Sequence, residues 1–134
     1  KKSYINGPIV NIIILVAFGG ALGSLIRYFT ELACKRLSFF SVPIGTIVVN
    51  IIGSFLIGYT LQFLLSRNIA TEEYKRLIMT GFLGGLTTFS SFSLEILQML
   101  QEGKLFLAVT YVVLSISIGL LAVWFGISIA SNSS

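Results

Sequence analysis

The chain has 134 residues, of which 55% are hydrophobic and only 10% charged, with a mean hydropathy of +0.96 and a net charge of +4. Because a water-soluble domain carries about 25% charged residues, this composition excludes a soluble protein and predicts one that lies in a lipid bilayer. The chain has no His or Asp and a single cysteine, so we expect neither an enzyme nor a zinc site, and its scattered basic residues do not predict a nucleic-acid partner.

Four stretches without a charged residue divide the chain, and each is long enough to cross a bilayer once as a helix. They cover residues 9–26, 42–66, 77–94 and the segment from Leu105 onward. The shortest of them has 18 residues, and a helix of that length reaches about 27 Å, close to the hydrocarbon thickness of roughly 30 Å. We therefore predict an all-α integral membrane protein, a single domain over residues 1–134 with four transmembrane helices at about 9–30, 42–66, 77–94 and 105–130.

The joints between these helices are expected to be short and polar, over residues 31–41, 67–76 and 95–104. Glu95, which begins the last joint, is expected to anchor its helix at the membrane interface. The first stretch is expected to be a span rather than a signal peptide, because no A-x-A cleavage site follows it and Arg27 interrupts its end.

The lysine and arginine residues are almost evenly divided between the two sides of the membrane. One side collects Lys1, Lys2, Arg67, Lys75 and Arg76, and the other collects Lys35, Arg36, Lys104 and, if it reaches the interface, Arg27. Since the excess of these residues sets the orientation of a membrane protein, such a small difference is compatible with insertion in both directions. It is equally compatible with a single orientation in which the middle joint faces the cytoplasm.

Small residues within the helices indicate close packing and an oligomer. Gly19 with Gly23, and Gly81 with Gly85, are pairs of the small-xxx-small type that let helix backbones approach closely. Four short helices enclose little volume, so we expect the polar faces to be buried by association with a further copy. The glycine pairs support packing without identifying the partner helix.

The second span carries Thr46, Asn50, Ser54 and Gly58 at intervals of four residues, which places them on one face of a helix. Asn50 lies in the middle of this span and offers an amide group with two N–H donors. The spacing allows two roles for it, a hydrogen bond between helices or a donor that lines a pore.

The third span is unusual because residues 81–93 contain Gly81, Gly84 and Gly85 and five hydroxyl side chains. The glycine pair and the threonine pair that follows it favour a helix that is broken at mid-membrane, although a straight, tightly packed helix is the alternative. Carbonyl groups freed by a break are suitable ligands for a hard cation such as sodium.

Phe89 and Phe92 lie three residues apart and share a face of the third span. Two phenylalanines at this spacing usually contact lipid or the core. Their serine neighbours offer the alternative that the electropositive ring edges line a narrow polar path.

In the fourth span Tyr111 and Ser115 share a face, and Arg27 in the first span lies deeper than any other charged residue. Arg27 is expected either to anchor its helix or to attract anions to an entrance. No acidic or basic residue lies at the centre of a span, so we expect no proton carrier there. Neutral donors and ring edges without fixed charge suit the passage of a small anion.

Three runs of the sequence resemble the Fluc (CrcB) family of fluoride channels. They are GGALGSLIRY at 19–28, PIGTIVVNIIGSF at 43–55 and GFLGGLTTFSSF at 81–92. The resemblance implies passive, selective export of fluoride across the inner (plasma) membrane of a microbe. It also implies an antiparallel, dual-topology homodimer with two pores and a structural sodium ion at the dimer centre.

The same resemblance implies a role for individual residues. The fluoride pore would be lined by Asn50, Phe89, Phe92, Tyr111, Ser115 and Thr46, with Arg27 near its entrance. The backbone carbonyls of Gly84 and Thr87 would hold sodium. The sequence differs from the family pattern at Ser91, where many members have threonine, and at Gly119, where some members carry another hydroxyl.

Two other classes of membrane protein are alternatives to a channel. A small dual-topology multidrug/proton antiporter needs a carboxylate embedded in the membrane, and the first span has none before Glu31. A non-transporting membrane scaffold would use the polar faces only for packing.

Overall fold

A computed structural model of the chain describes residues 6–36, 42–67 and 72–132, and these residues are helical apart from short connections. The elements in chain order are α1 (Asn6–Lys35), α2 (Ile44–Ser66), α3 (Glu72–Lys75), a π-helical segment (Arg76–Leu83), α4 (Gly84–Leu86), α5 (Phe89–Gln101) and α6 (Leu105–Asn132). Elements α3 to α5 follow one another closely and together form the third long segment.

Four segments are long and apolar enough to cross a membrane, which confirms the expected all-α fold with four membrane-spanning segments. They are Val10–Lys35, Ile44–Ser66, Glu73–Gln101 and Leu105–Asn132. Large apolar side chains cover their outer surfaces, and Phe106, for example, is 86% exposed. Since so much apolar surface is unfavourable in water and neutral in lipid, the chain is a multi-pass membrane protein.

The helices extend further than the predicted joints allow. Glu31 lies inside α1, which continues to Lys35, and Glu95 lies inside α5, which continues to Gln101. Glutamate and lysine are good helix formers, so a charge does not by itself end a helix. Residues 37–41 and 68–71 of the joints, and Lys1 and Lys2 of the charge comparison, lie outside the described residues.

The turn between α5 and α6 is set by Gly103, which has a φ angle of 74°. The N–H of Gly103 donates to the carbonyl of Leu100 at 3.0 Å, and the N–H of Lys104 donates to that of Met99 at 2.9 Å. These two bonds form a Schellman motif, which requires a left-handed residue and therefore favours glycine. The motif ends α5 and turns the chain into α6.

Backbone contact through glycine joins α1 to the third segment. A Cβ atom on Gly19 would lie 2.9 Å from the nitrogen of Phe82, and one on Gly85 would lie 2.5 Å from the oxygen of Gly20. The pairs Gly19/Gly23 and Gly81/Gly85, expected to permit close packing, therefore lie against each other. On the other side of the bundle α2 packs along α6 in the same way.

The third segment is interrupted between α4 and α5. Thr87 has φ and ψ angles of −81° and 156°, and Thr88 has angles of −148° and 118°, so both have extended backbone. Sequence reasoning centred the interruption on Gly84 and Gly85, but these glycines are helical and the extended residues are the two threonines that follow. Threonine is β-branched and tolerates extended backbone well, and the Thr88 hydroxyl caps α5 by accepting the N–H of Ser91 at 3.1 Å.

Replacement of Gly126 with alanine is expected to lower the stability of the protein by about 1–3 kcal/mol. A Cβ atom at this position of α6 would overlap the carbonyl oxygen of Phe55 on α2, so the helices must separate. Gly119→Ala on the same helix is the matched control, because its Cβ would lie 3.7 Å from Ser54 Oγ in ordinary contact. Thermal unfolding in detergent should show a lower midpoint for Gly126→Ala alone, and equal midpoints would contradict this packing.

Candidate functional site

The interruption of the third segment is held by the side chain of Asn50 on α2. Asn50 Nδ2 donates to the carbonyl oxygen of Thr88 at 3.0 Å, and the Thr88 N–H donates to Asn50 Oδ1 at 2.8 Å. One amide therefore satisfies both backbone polar groups of Thr88, as a neighbouring strand would. The Asn50 amide group keeps one N–H that these two bonds do not use.

A pocket of about 340 Å³ lies beside this joint. Its lining comprises Asn50, Gly53, Ser54, Ile57, Met79, Leu83, Gly84, Thr87, Thr88, Phe89 and Phe92. Five of the residues to which the family resemblance assigns a role thus surround one space, namely Asn50, Gly84, Thr87, Phe89 and Phe92. They come from α2 and from both sides of the interruption.

The two phenylalanine rings are neighbours, with centroids 6.1 Å apart, but their surroundings differ. Phe92 is buried, and its ring lies 5.2 Å from that of Tyr111 on α6. Phe89 is 79% exposed at the edge of the pocket. Phe92 therefore connects the pocket to the interior of the chain, whereas Phe89 faces outward from it.

A carboxylate, that of Glu95, links α2, α5 and α6. Its Oε1 accepts a hydrogen bond from Thr46 Oγ1 at 2.5 Å, and its Oε2 accepts one from Tyr111 Oη at 2.7 Å. Thr46 is only 2% exposed, and Tyr111 is also buried. Both buried hydroxyls therefore donate to a negatively charged group. Charge-assisted hydrogen bonds of this kind are stronger than those between neutral groups.

A second pocket, of about 240 Å³, opens on the other side of Glu95. We call it the entrance pocket; it is lined by Glu31, Lys35, Pro43, Ile44, Gly45, Thr46, Ser91, Leu94, Glu95 and Gln98. Unlike the pocket at Asn50, it is bordered by both acidic and basic side chains. Thr46 and Glu95 belong to its wall and also to the hydrogen-bonded cluster with Tyr111.

Ser115 lies one helical turn beyond Tyr111 and lines a third, smaller pocket of about 170 Å³ with it. Its Oγ is buried and has no hydrogen-bond partner among the described residues. An unsatisfied buried hydroxyl retains its full capacity to donate to a bound ion or water molecule. Ser115 thus extends the polar face of α6 that begins at Tyr111.

Arg27 is the predicted site residue that the structure does not bring into this group. It lies on α1, partly buried, and it does not line any of the three pockets described above. It precedes Glu31 by one helical turn and so shares a face with that residue of the entrance pocket.

Gly84 and Thr87, whose backbone carbonyls are predicted to bind sodium, both line the pocket beside the interruption. The Thr88 N–H donates to Asn50 Oδ1, so it does not donate to the carbonyl of Gly84 as it would in a continuous helix. Thr87 Oγ1 donates to the carbonyl of Leu83 at 2.9 Å. Neutral carbonyl oxygens beside a helix end are ligands that suit sodium.

Sequence reasoning missed two acidic residues of the site. Glu95, which the sequence predicts as an interfacial anchor, is half-buried and accepts hydrogen bonds from two hydroxyls. Its position three residues after Phe92, on the same helical face, is the signal that links it to the site. Glu31 was assigned to a joint, and no local pattern in the sequence places it beside Gly45.

Residues 14–127 match the family model described as CrcB-like protein, Camphor Resistance (CrcB). A protein of Rhizobium meliloti (strain 1021) named fluoride-specific ion channel FluC is 40% identical over 120 residues, which cover 90% of this chain and 96% of that protein. Proteins of the same name are 43% identical in Francisella philomiragia, covering 86% of this chain and 91% of that protein, and 41% identical in Flavobacterium psychrophilum, covering 90% and 97%.

The match extends from α1 to α6 and includes every residue of the site described above. Such identity over nearly the whole length of both proteins fixes membership of the family. The chain belongs to the CrcB family.

Proposed function

We propose that this chain forms a passive, fluoride-selective ion channel that carries fluoride out of the cell, and that it is not an enzyme. The observation that carries the proposal is the pair of hydroxyls, from Thr46 and Tyr111, that donate to a carboxylate beside the Phe92 ring. These groups already stabilise a negative charge within the helical bundle. The names of the similar proteins, which are fluoride-specific ion channels, support the same conclusion.

Fluoride requires close donors because it is the most strongly hydrated halide. Transfer of a small ion from water to a medium of low dielectric constant costs tens of kcal/mol unless other groups replace the water. The hydroxyls of Thr46, Tyr111 and Ser115 and the free N–H of Asn50 offer such replacement. The edge of the Phe92 ring is electropositive and adds a weak contact that does not hold a proton.

The hydrogen-bond donors are neutral, which favours release of a bound fluoride ion over its permanent retention. Conduction requires sites that bind an ion strongly enough to admit it and weakly enough to release it. A fluoride ion that enters the cluster competes with Glu95 for the hydroxyls of Thr46 and Tyr111, so neither anion is held permanently. We infer that ions pass from the entrance pocket through this cluster toward Ser115.

The proposed assembly is an antiparallel, dual-topology homodimer in the inner (plasma) membrane of a microbe. The nearly equal numbers of lysine and arginine on the two sides support insertion in both directions. The exposed Phe89 ring at the edge of the pocket at Asn50 gives a reason for association, since a second copy would cover that apolar face. We place the interruption at Thr87 and Thr88 at mid-membrane, where freed backbone groups are tolerated only if protein surrounds them.

A structural sodium ion at the dimer centre is part of the proposal. The carbonyl oxygens of Gly84 and Thr87 would hold it, and its positive charge would offset the negative ends of two peptide dipoles. The pocket that contains both residues is formed in part by the interruption itself. The ion would therefore lock the two copies together rather than take part in conduction.

Liposomes that contain the purified protein are expected to release fluoride rapidly and chloride negligibly, as measured with ion-selective electrodes. The physical reason is that hydroxyl and amide N–H donors replace the water shell of fluoride, which is the smallest halide, more fully than that of chloride. Empty liposomes are the control. Equal release of both ions would contradict selectivity, no release would favour the scaffold, and release only with a proton gradient would favour the antiporter.

Tyr111→Phe is expected to slow fluoride release several-fold, because it removes the hydroxyl that binds Glu95 and leaves the ring against Phe92. Tyr59→Phe is the matched control, since Tyr59 on α2 stacks on Phe63 and lines none of the three pockets. Initial rates of release should fall for Tyr111→Phe only. An unchanged rate for that variant would remove the hydroxyl from the pathway.

Withdrawal of sodium is expected to lower the thermal stability of the detergent-solubilised protein, because a ligand of the folded state stabilises it by mass action. The midpoint should rise with NaCl concentration when N-methylglucamine chloride keeps the ionic strength constant. A midpoint that does not respond to sodium would argue against the carbonyl site at Gly84 and Thr87.

A further inference from the structure

Glu31 occupies a place in the entrance pocket that its position in the sequence does not suggest. Its backbone lies directly against the start of α2, where a Cβ atom on Gly45 would be 2.8 Å from Glu31 Cα. Its side chain lines the entrance pocket together with Thr46 and Glu95. The Oε1 atom of Glu31 is buried and has no hydrogen-bond partner among the described residues.

The two carboxylates of this pocket differ in what surrounds them. Glu95 is bound by Thr46 and Tyr111, so part of its negative charge is balanced by oriented hydroxyl dipoles. The buried oxygen of Glu31 has no such donor and organises none of the groups that would hold an anion. No hydrogen bond from a described residue balances the charge at this oxygen, which therefore repels anions in the pocket.

The charged groups that border the pocket are few. Helix α1 contributes Glu31 and Lys35, α5 contributes Glu95, and the residues of α2 in the lining are uncharged. Lys35 is exposed, whereas one oxygen of Glu31 is fully buried. Water and salt screen an exposed charge more than a buried one, so Lys35 offsets Glu31 only in part.

We propose that Glu31 limits the rate at which fluoride enters this pathway, by repelling anions from the entrance pocket. The inference rests on the proposed channel function and adds a residue that limits the rate of fluoride transport. The charge of Glu31 lowers the occupancy of the pocket by anions. Its buried oxygen forms no hydrogen bond with the described donors that would select fluoride. Neutralisation of Glu31 therefore raises the rate of entry without altering the preference for fluoride over chloride.

The test measures initial fluoride release from liposomes over a range of internal fluoride concentrations. Glu31→Gln, which keeps the shape and removes the charge, should raise the rate several-fold below saturation, and Glu31→Lys should raise it further. Lys35→Gln removes the opposing charge and should lower the rate. Glu102→Gln is the matched control, because Glu102 lies in the exposed α5–α6 turn, paired with Lys104 at 2.7 Å.

The order of rates decides between a charge effect and a structural one. A structural role for Glu31 would lower the rate for both substitutions, whatever their charge, and would overturn the inference. An unchanged rate for Glu31→Gln, with the wild type active, would overturn it as well and would leave the channel function intact. Absence of release from the wild type would instead refute the channel.

If the Glu31 variants do not fold, as judged by size-exclusion chromatography, the result for Lys35→Gln decides. A lower rate for that variant supports control of entry by the charge of the pocket. An equal or higher rate contradicts it. The chloride rate should stay negligible in all of these variants, and chloride release from Glu31→Gln would show that Glu31 selects the ion rather than limiting its entry.

Discussion

The need to satisfy backbone polar groups inside a bilayer governs this structure. Extended backbone at Thr87 and Thr88 removes the N–H of Thr88 from the helical ladder, and lipid offers no replacement. The side-chain amide of Asn50 accepts that N–H and also donates to the Thr88 carbonyl. Helix α5 can then begin at Phe89 in a direction that a continuous helix would not allow, and the positions of the residues on α5 follow from that start.

The residues of α5 connect this joint to the hydrogen-bonded cluster. Phe92, one turn after the start of the helix, packs on Tyr111, and Glu95, one turn later, receives the hydroxyls of Tyr111 and Thr46. A displacement of α5 would therefore disturb the pocket at Asn50 and the cluster at Glu95 together. The interruption thus has two effects, since it frees the backbone carbonyl of Gly84 from the helical ladder and it orients the α5 side chains of the proposed anion pathway.

Close packing of the helix backbones fixes the elements that carry the site. Glycines bring α1 against the third segment and α2 against α6. Among α2, α5 and α6, neutral hydroxyls bind the carboxylate of Glu95, whereas the buried oxygen of Glu31 receives no hydrogen bond from the described residues. In the proposed pathway, repulsion by Glu31 and Glu95 opposes attraction by the hydroxyl protons, and this opposition favours release because a site without repulsion would retain the ion.

Composition and periodicity by themselves determined that the chain lies in a lipid bilayer, that it is helical and that it has four spans. These properties depend on the length of each apolar stretch, which is a local feature of the sequence. Two patterns also identified the faces that carry the site. One is the interval of four residues between Thr46, Asn50 and Ser54, and the other is the group of hydroxyl side chains near Gly84. Only the tertiary structure decided the rest. It moved the interruption from the glycines to Thr87 and Thr88, left Arg27 outside the pockets, and brought Glu31 and Glu95 from separate helices to one pocket, because those outcomes depend on how the helices pack against one another.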